Sequence, residues 1–251
     1  MTVVIFFILG LIIGSFLNAV IFRLPDGKSF LTGRSECRNC HHELSSADLV
    51  PIFSFIFLRG QCRYCRQRIS WQYPLVELAT GIVFGLLAYQ SGSSLGEPGL
   101  WASAVFAAFL IVVGIYDFKH FLILDRVVLP AAVLALIWAG FEGYLLASLY
   151  GALLVAGFFA AQYYISRGRW IGFGDVKLGI FLGLLLGWQL SLLMLVLAYF
   201  LGAATGLGLV LLGRKTMSSK LPLGSFLAIS AIMVMLYGDG VLAWYLKLIG
   251  F

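Results

Sequence analysis

Charge is nearly absent from most of this chain, and that scarcity constrains the fold more than any other feature. Of 251 residues, 61% are hydrophobic and 11% charged, against about 25% charged in a typical soluble domain. Uncharged runs of this length belong in lipid, where a helix of about 20 residues crosses a hydrocarbon layer of about 30 Å. Hydropathy places eight such runs, at 2–22, 74–90, 100–117, 125–140, 144–165, 175–187, 190–212 and 222–238. The expected architecture is an all-α polytopic membrane protein of about eight transmembrane helices. The 29 glycines suit close helix packing in lipid. The first run holds Asn18 and leads into Arg23 without a small-residue cleavage site, so it reads as a retained span.

Residues 23–73 are the sizeable stretch outside these spans. The domain reading is a first transmembrane helix over 1–22, a loop domain over 23–73 and a membrane core over 74–251. Within that core, 239–251 is expected at the interface or as a partial helix. A turn at Gly187-Trp188-Gln189 separates the sixth run from the seventh. With that turn, 16 of the 17 Lys and Arg residues fall on one side of the membrane and Lys247 on the other. Without it, Arg214, Lys215 and Lys220 change sides. The positive-inside rule therefore favours the turn, with the 23–73 loop in the cytoplasm and both termini outside. The net charge of +6 then reports orientation. No strongly basic helix or long charge run is present, and no nucleic-acid partner is expected.

Carboxylates at membrane boundaries are costly and need a reason. Asp117 closes the run IVVGIYD, and Asp175 stands in GFGDVKLG directly ahead of another. The topology places both at the cytoplasmic face and at one depth. Two carboxylates there can share a proton, the ionised one taking a proton from water and the other polarising a carbonyl. Gly172 and Gly174 suit an active-site loop, since glycine permits strained backbone and close approach of an extended peptide. The plainer readings are a helix cap for Asp175 and a solvated end residue near Lys119 for Asp117. Asp125 reads as a cap or a partner in the neighbourhood of Arg126. Lys177 either biases Asp175 or snorkels, and Glu77 has no assigned role.

All four cysteines lie in the loop, as Cys37-x-x-Cys40 and Cys62-x-x-Cys65. Two thiolate pairs at that spacing complete a tetrahedral sulfur site, for which zinc is the usual occupant. Four sulfur ligands close the site, so the zinc is expected to be structural. Two disulfides are the alternative, which requires an oxidising compartment. His41 and His42 are surplus to the coordination. Arg59, Arg63, Arg66 and Arg68 flank the second pair and suit anionic membrane lipids.

Taken in order, GSFLNAVIFRLP (14–25), the cysteine loop with LVPIFSFIFLRGQCRYC and YPLVE (49–77), GFGDVKLG (172–179) and KLPLGSFLA (220–228) resemble the bacterial type IV prepilin peptidases. These are prepilin leader peptidase/N-methyltransferases, intramembrane aspartyl proteases of the GxGD type. One departure is visible: Leu124 precedes Asp125 where the family often has proline. The resemblance implies a peptidase of the inner membrane that removes the short basic leader of type IV prepilins or pseudopilins at the cytoplasmic face. It implies Asp117 and Asp175 as the catalytic pair and Cys37, Cys40, Cys62 and Cys65 as metal ligands. It further implies S-adenosylmethionine-dependent methylation of the new N-terminus. The competing readings are a leader peptidase without methyltransferase activity, a transporter with ion-coupling aspartates, and a scaffold whose zinc loop docks a partner.

Overall fold

Lipid offers no hydrogen bonds to backbone N–H and C=O groups, so a crossing segment must satisfy its own, and the helix does so. The computed structural model describes residues 1–24, 27, 34–90, 92, 95–214, 216, 219–248 and 250. Pro25, Lys28 and Lys215, which figure in the motif and charge readings, lie outside the described residues. The helices are α1 (Thr2–Arg23), α2 (Phe53–Phe57), α3 (Gln72–Gln90), α4 (Pro98–His120), α5 (Asp125–Phe141), α6 (Leu145–Ser166), α7 (Phe173–Leu211) and α8 (Leu223–Leu248). A single 3₁₀ turn covers Ser46–Leu49, and two isolated bridges, Glu36 with Glu43 and Gln61 with Arg68, are the β pairing among the described residues. The chain forms a multi-pass helical membrane protein.

The expected count of eight crossing helices is not matched. Among the described residues, six helices are long and apolar enough to cross: α1, α3, α4, α6, α7 and α8. The difference has two causes. Helix α5 has 17 residues and reaches about 26 Å at 1.5 Å per residue, short of the hydrocarbon thickness. The stretch 173–211, taken as one long apolar run of 39 residues, is two helices joined at Gly187 with no loop between them, so the expected turn is present there but the run counts once among the six. Of the tail expected at the interface or as a partial helix, residues 239–248 are helical and continue α8, which runs for 26 residues.

The chain divides into two compact units, 1–108 and 109–251. In the first, α1 packs along α3. Their contact is backbone to backbone: a Cβ on Gly10 would lie 2.6 Å from the Thr80 carbonyl oxygen, and one on Gly14 2.7 Å from the Glu77 Cα. This is the small-x-x-x-small logic of helices in lipid, where close approach replaces the hydrophobic effect as the source of association. Asn18 is buried in this interface and donates from Nδ2 to the Tyr73 carbonyl at 3.1 Å.

In the second unit α6 packs along α7, which also contacts α5 and α8. Gly151 and Gly183 face each other, and a Cβ on Gly183 would stand 2.4 Å from the Ala152 nitrogen. Gly187 adopts φ 70°, ψ 176°, a conformation that residues with a Cβ rarely take. There the chain doubles back. Gly179 abuts Phe159 and Val155, while Tyr199, twenty residues on, exchanges hydrogen bonds with Gln162 and packs on Phe158. A straight helix would carry residue 199 about 30 Å beyond residue 179. Both halves of α7 therefore lie against the same helix.

Replacing Gly183 by leucine should force α6 and α7 apart at the backbone. The expected cost is on the order of 1–3 kcal/mol or more, read as a lower unfolding temperature of the purified protein in detergent. Phe200→Leu, at an exposed position of α7, should leave that temperature nearly unchanged.

Candidate active site and metal centre

Asp117 occupies the last turn of α4, and Asp175 the first turn of α7. Both are buried, with 5% and 9% of their surface exposed. Each meets a backbone N–H at the start of a helix. Helix N-termini leave about four N–H groups without intrahelical acceptors, and such groups, with the helix dipole, favour a carboxylate. For Asp117 the helix is α8. Ser225 N–H donates to Asp117 Oδ2 at 2.9 Å, with Ser225 Oγ at 3.4 Å from the same oxygen. The hydroxyl is anchored in turn on the Gly114 carbonyl at 2.7 Å. For Asp175 the helix is its own: Gly172 N–H donates to Asp175 Oδ2 at 3.0 Å. The capping reading of Asp175 is thus realised in part, with Gly172 at the cap position and Asp175 reaching back to it.

The flanking glycines work by space rather than by strain. Gly172 is extended at φ −83°, ψ 157°, and Gly174 is helical. A Cβ on Gly174 would lie 3.0 Å from the Cβ of Ile123. A Cβ on Gly224 would lie 3.0 Å from Asp117 Oδ2 and 3.3 Å from Ile123 Cδ1. Ile123, in the link between α4 and α5, therefore fits between the glycine beside Asp175 and the glycine beside the Asp117 carboxylate. The chain turns into that link at Phe121, whose φ is 52° and whose N–H bonds the Asp117 carbonyl at 2.8 Å.

The other carboxylates take different places. Asp125 pairs with Lys177, Oδ2 to Nζ at 2.6 Å, rather than with the neighbourhood of Arg126. Lys177 thereby ties the start of α5 to the start of α7. Glu77 is buried on α3 and accepts the Ile52 N–H through Oε2 at 2.7 Å. Ser225, Ile123 and the Glu77 contact were not singled out from sequence. Ser225 lies inside the KLPLGSFLA motif one turn into a helix, and Glu77 is a lone acid in an apolar run. Those signals mark unusual residues without naming their partners.

The cysteine loop is built as two like turns. Cys37 N–H bonds the His42 carbonyl and His41 N–H the Cys37 carbonyl, at 3.0 and 2.9 Å. Cys62 with Gln67 and Arg66 with Cys62 repeat the pattern at 2.9 Å each. His41 and Arg66 hold matching left-handed positions at φ 55° and 57°. The turns bring four free thiols together, with all four Sγ atoms within 4.8 Å of one another and Cys37 and Cys65 at 3.8 Å. A tetrahedral ion with sulfur ligands at about 2.3 Å requires sulfur–sulfur separations of about 3.8 Å, so the thiols fit a metal ion. The Asn39 amide donates toward Cys65 Sγ at 3.7 Å, an outer contact of the kind that orients metal ligands. The Gln67 backbone N–H, aided by Asn39, holds the Cys65 thiol down to about 6. Against the pull of the His42 N–H, burial and the sulfurs of Cys37 and Cys65 push Cys40 up to about 11. Thiols this close do not all ionise unless a cation offsets their charge. His41 and His42 are exposed and stand outside the sulfur cluster, His42 with its ring against Tyr64.

The fold and the site define a multi-pass helical membrane protein with two buried aspartates at helix termini and a loop that gathers four thiols. The bacterial peptidase A24 N-terminal domain matches residues 8–91, and the type IV leader peptidase family matches residues 104–207. The prepilin leader peptidase/N-methyltransferase of Bacillus subtilis strain 168 is 34% identical over 97% of this chain and 98% of its own. Those of Aeromonas salmonicida strain A449 and Pseudomonas aeruginosa are 31% and 30% identical, each over 97% of this chain and 93% of theirs. No solved structure matches. The chain belongs to the type IV leader peptidase family and is an enzyme of that family.

Metal analysis of the purified protein should find about one ion per chain. Cys62→Ser should lose it and leave the 34–70 loop open to proteolysis at its arginines. Full metal content in that variant would overturn the four-thiol site.

Proposed function

We propose that this protein is an intramembrane aspartyl endopeptidase that removes the basic leader of type IV prepilins or pseudopilins. The observation that carries the reading is the pair of buried carboxylates, Asp117 and Asp175, each held on a backbone N–H at a helix start. One carboxylate is ionised and takes a proton from water as its oxygen attacks the scissile carbonyl carbon. The other is protonated and donates to the carbonyl oxygen, so a neutral tetrahedral diol forms. Collapse breaks the carbon–nitrogen bond, the proton passes to the leaving amine, and the pair returns to its shared-proton state. In the active-site loop, Gly172 leaves room beside Asp175 for an extended substrate backbone, while Gly174 admits Ile123 next to the pair. The peptidase chemistry belongs to the 74–251 core.

The loop over 23–73 is proposed to hold structural zinc through Cys37, Cys40, Cys62 and Cys65. With four protein ligands that ion would fold the loop and leave no position for a reactant. The names of the relatives support a second activity, methylation of the new N-terminal amine with S-adenosylmethionine as the methyl donor. Basic-residue asymmetry supports an inner-membrane protein with its loop and both aspartates on the cytoplasmic side. There a basic leader remains in water while the apolar stem of the substrate lies in the bilayer.

Asp117→Asn and Asp175→Asn should each lower cleavage of a prepilin peptide by about a thousandfold while the protein stays folded in the membrane. Full activity in both variants would sink the assignment. Mass analysis of the mature peptide with S-adenosylmethionine present should show the added methyl group, and both Asn variants should leave a pre-cleaved peptide methylated.

Ser225→Pro removes the N–H that meets Asp117, at a first-turn position where proline is tolerated. Loss of a charge-assisted hydrogen bond predicts a drop in kcat of about tenfold or more with KM little changed. Ser225→Ala, which keeps the N–H, should fall less.

A further inference from the structure

The longest uncharged stretch of the loop over 23–73 is 49–58, Leu-Val-Pro-Ile-Phe-Ser-Phe-Ile-Phe-Leu, and the function proposed above gives it no role. It contains the short helix α2. Phe53, Ile56 and Phe57 share one face at i, i+3 and i+4 spacing, and they are 57%, 63% and 82% exposed. The opposite face is fixed. Phe55 packs its ring 5.0 Å from that of Trp71, and Gly60 closes against Phe55. Ile52, at the start of α2, holds φ 62°, a conformation costly for a β-branched residue. Its N–H is locked on the buried Glu77 carboxylate at 2.7 Å.

That last contact sets the depth. Glu77 lies in the second turn of α3, a membrane-crossing helix that begins at Gln72. Helical side chains lean toward the N-terminus, so the carboxylate stands level with the first turn of α3, where the helix leaves the hydrocarbon. Trp71, 69% exposed and adjacent to that turn, is the residue type found at this level of a bilayer. A backbone tied there cannot rise into bulk water. Just beyond α2, Arg59, Arg66 and Arg68 are exposed, whereas Arg63 is held by Asp48 at 2.7 Å.

We propose that α2 is an interfacial anchor, with Phe53, Ile56 and Phe57 seated in the outer acyl region of the protein's own bilayer and Arg59, Arg66 and Arg68 on anionic phospholipid headgroups. Glu77 is its positioning residue. The anchor fixes the cysteine loop against the membrane surface. Short apolar segments flanked by arginine bind interfaces through buried apolar area plus attraction to anionic lipid.

The test uses the full-length, metal-loaded protein in vesicles of phosphatidylethanolamine and phosphatidylglycerol, with a photoreactive side chain at one position. Phe57→p-benzoylphenylalanine should give phospholipid adducts, and Phe55→p-benzoylphenylalanine adducts within the protein. Position 57 crosslinking to the protein itself, to a prepilin peptide or to nothing, while a lipid-facing α6 position such as 153 is labelled by lipid, would overturn the anchor. Replacing phosphatidylglycerol by phosphatidylcholine should lower the adduct yield severalfold, and an unchanged yield removes the headgroup part of the proposal. In an independent arm, Phe53→Ser with Phe57→Ser should speed trypsin cleavage at Arg59 in vesicles by about tenfold or more. The same pair should leave the unfolding temperature in detergent unchanged, since both side chains are exposed. Equal cleavage rates in vesicles would count against the anchor.

Discussion

Three buried carboxylates, Asp117, Asp175 and Glu77, each rest on a backbone N–H that no helix ladder uses: those of Ser225, Gly172 and Ile52. The surroundings explain why. In lipid a carboxylate without donors is expensive, and a helix interior has no N–H to spare. Spare donors exist where helices begin, so the buried carboxylates of this protein stand at the levels at which helices start. The arrangement of α4, α7 and α8 brings two such starts around one carboxylate pair.

Glycine provides the second part of that arrangement. Helices that associate in lipid gain little from hiding apolar surface and depend on close approach. Gly10 and Gly14 seat α1 on α3, and Gly151 meets Gly183 between α6 and α7. Gly187 lets α7 double back along α6, so that one helix, α6, supports both halves. At the site itself the same economy of volume appears as Gly174 and Gly224, between which Ile123 fits. A methyl group at either glycine would press on Ile123, and at Gly224 on the Asp117 carboxylate as well.

The cysteine loop meets a different constraint. It lies outside the crossing helices and has little core of its own: among residues 34–70, Cys62 is the buried hydrophobic residue. Order comes instead from two like turns that gather four thiols and from the tie between Ile52 and Glu77. Both devices fix backbone by a few strong contacts. They suit a small segment that cannot bury enough surface to hold itself.

Composition and pattern determined a great deal. Charge scarcity announced a helical membrane protein, the spacing of Cys37, Cys40, Cys62 and Cys65 announced a four-sulfur site, and GFGDVKLG with IVVGIYD marked two aspartates at helix boundaries. These features are legible because each depends on residues close together in sequence. Other properties depend on distant pairings that no local pattern encodes. Ser225 finds Asp117 across 108 residues, Lys177 takes Asp125 rather than the neighbourhood of Asp175, and Gly174 beside Asp175 proves to be a spacer because Ile123 arrives from another link. The helix count differed because hydropathy registers how apolar a segment is but not how long its helix runs: α5 ends after 17 residues, and the two helices that meet at Gly187 follow each other without a loop. Sequence alone thus determined the solvent and the candidate reactive groups of this protein. Tertiary structure decided which backbone N–H each buried carboxylate receives, because that depends on which helix starts the packing brings together.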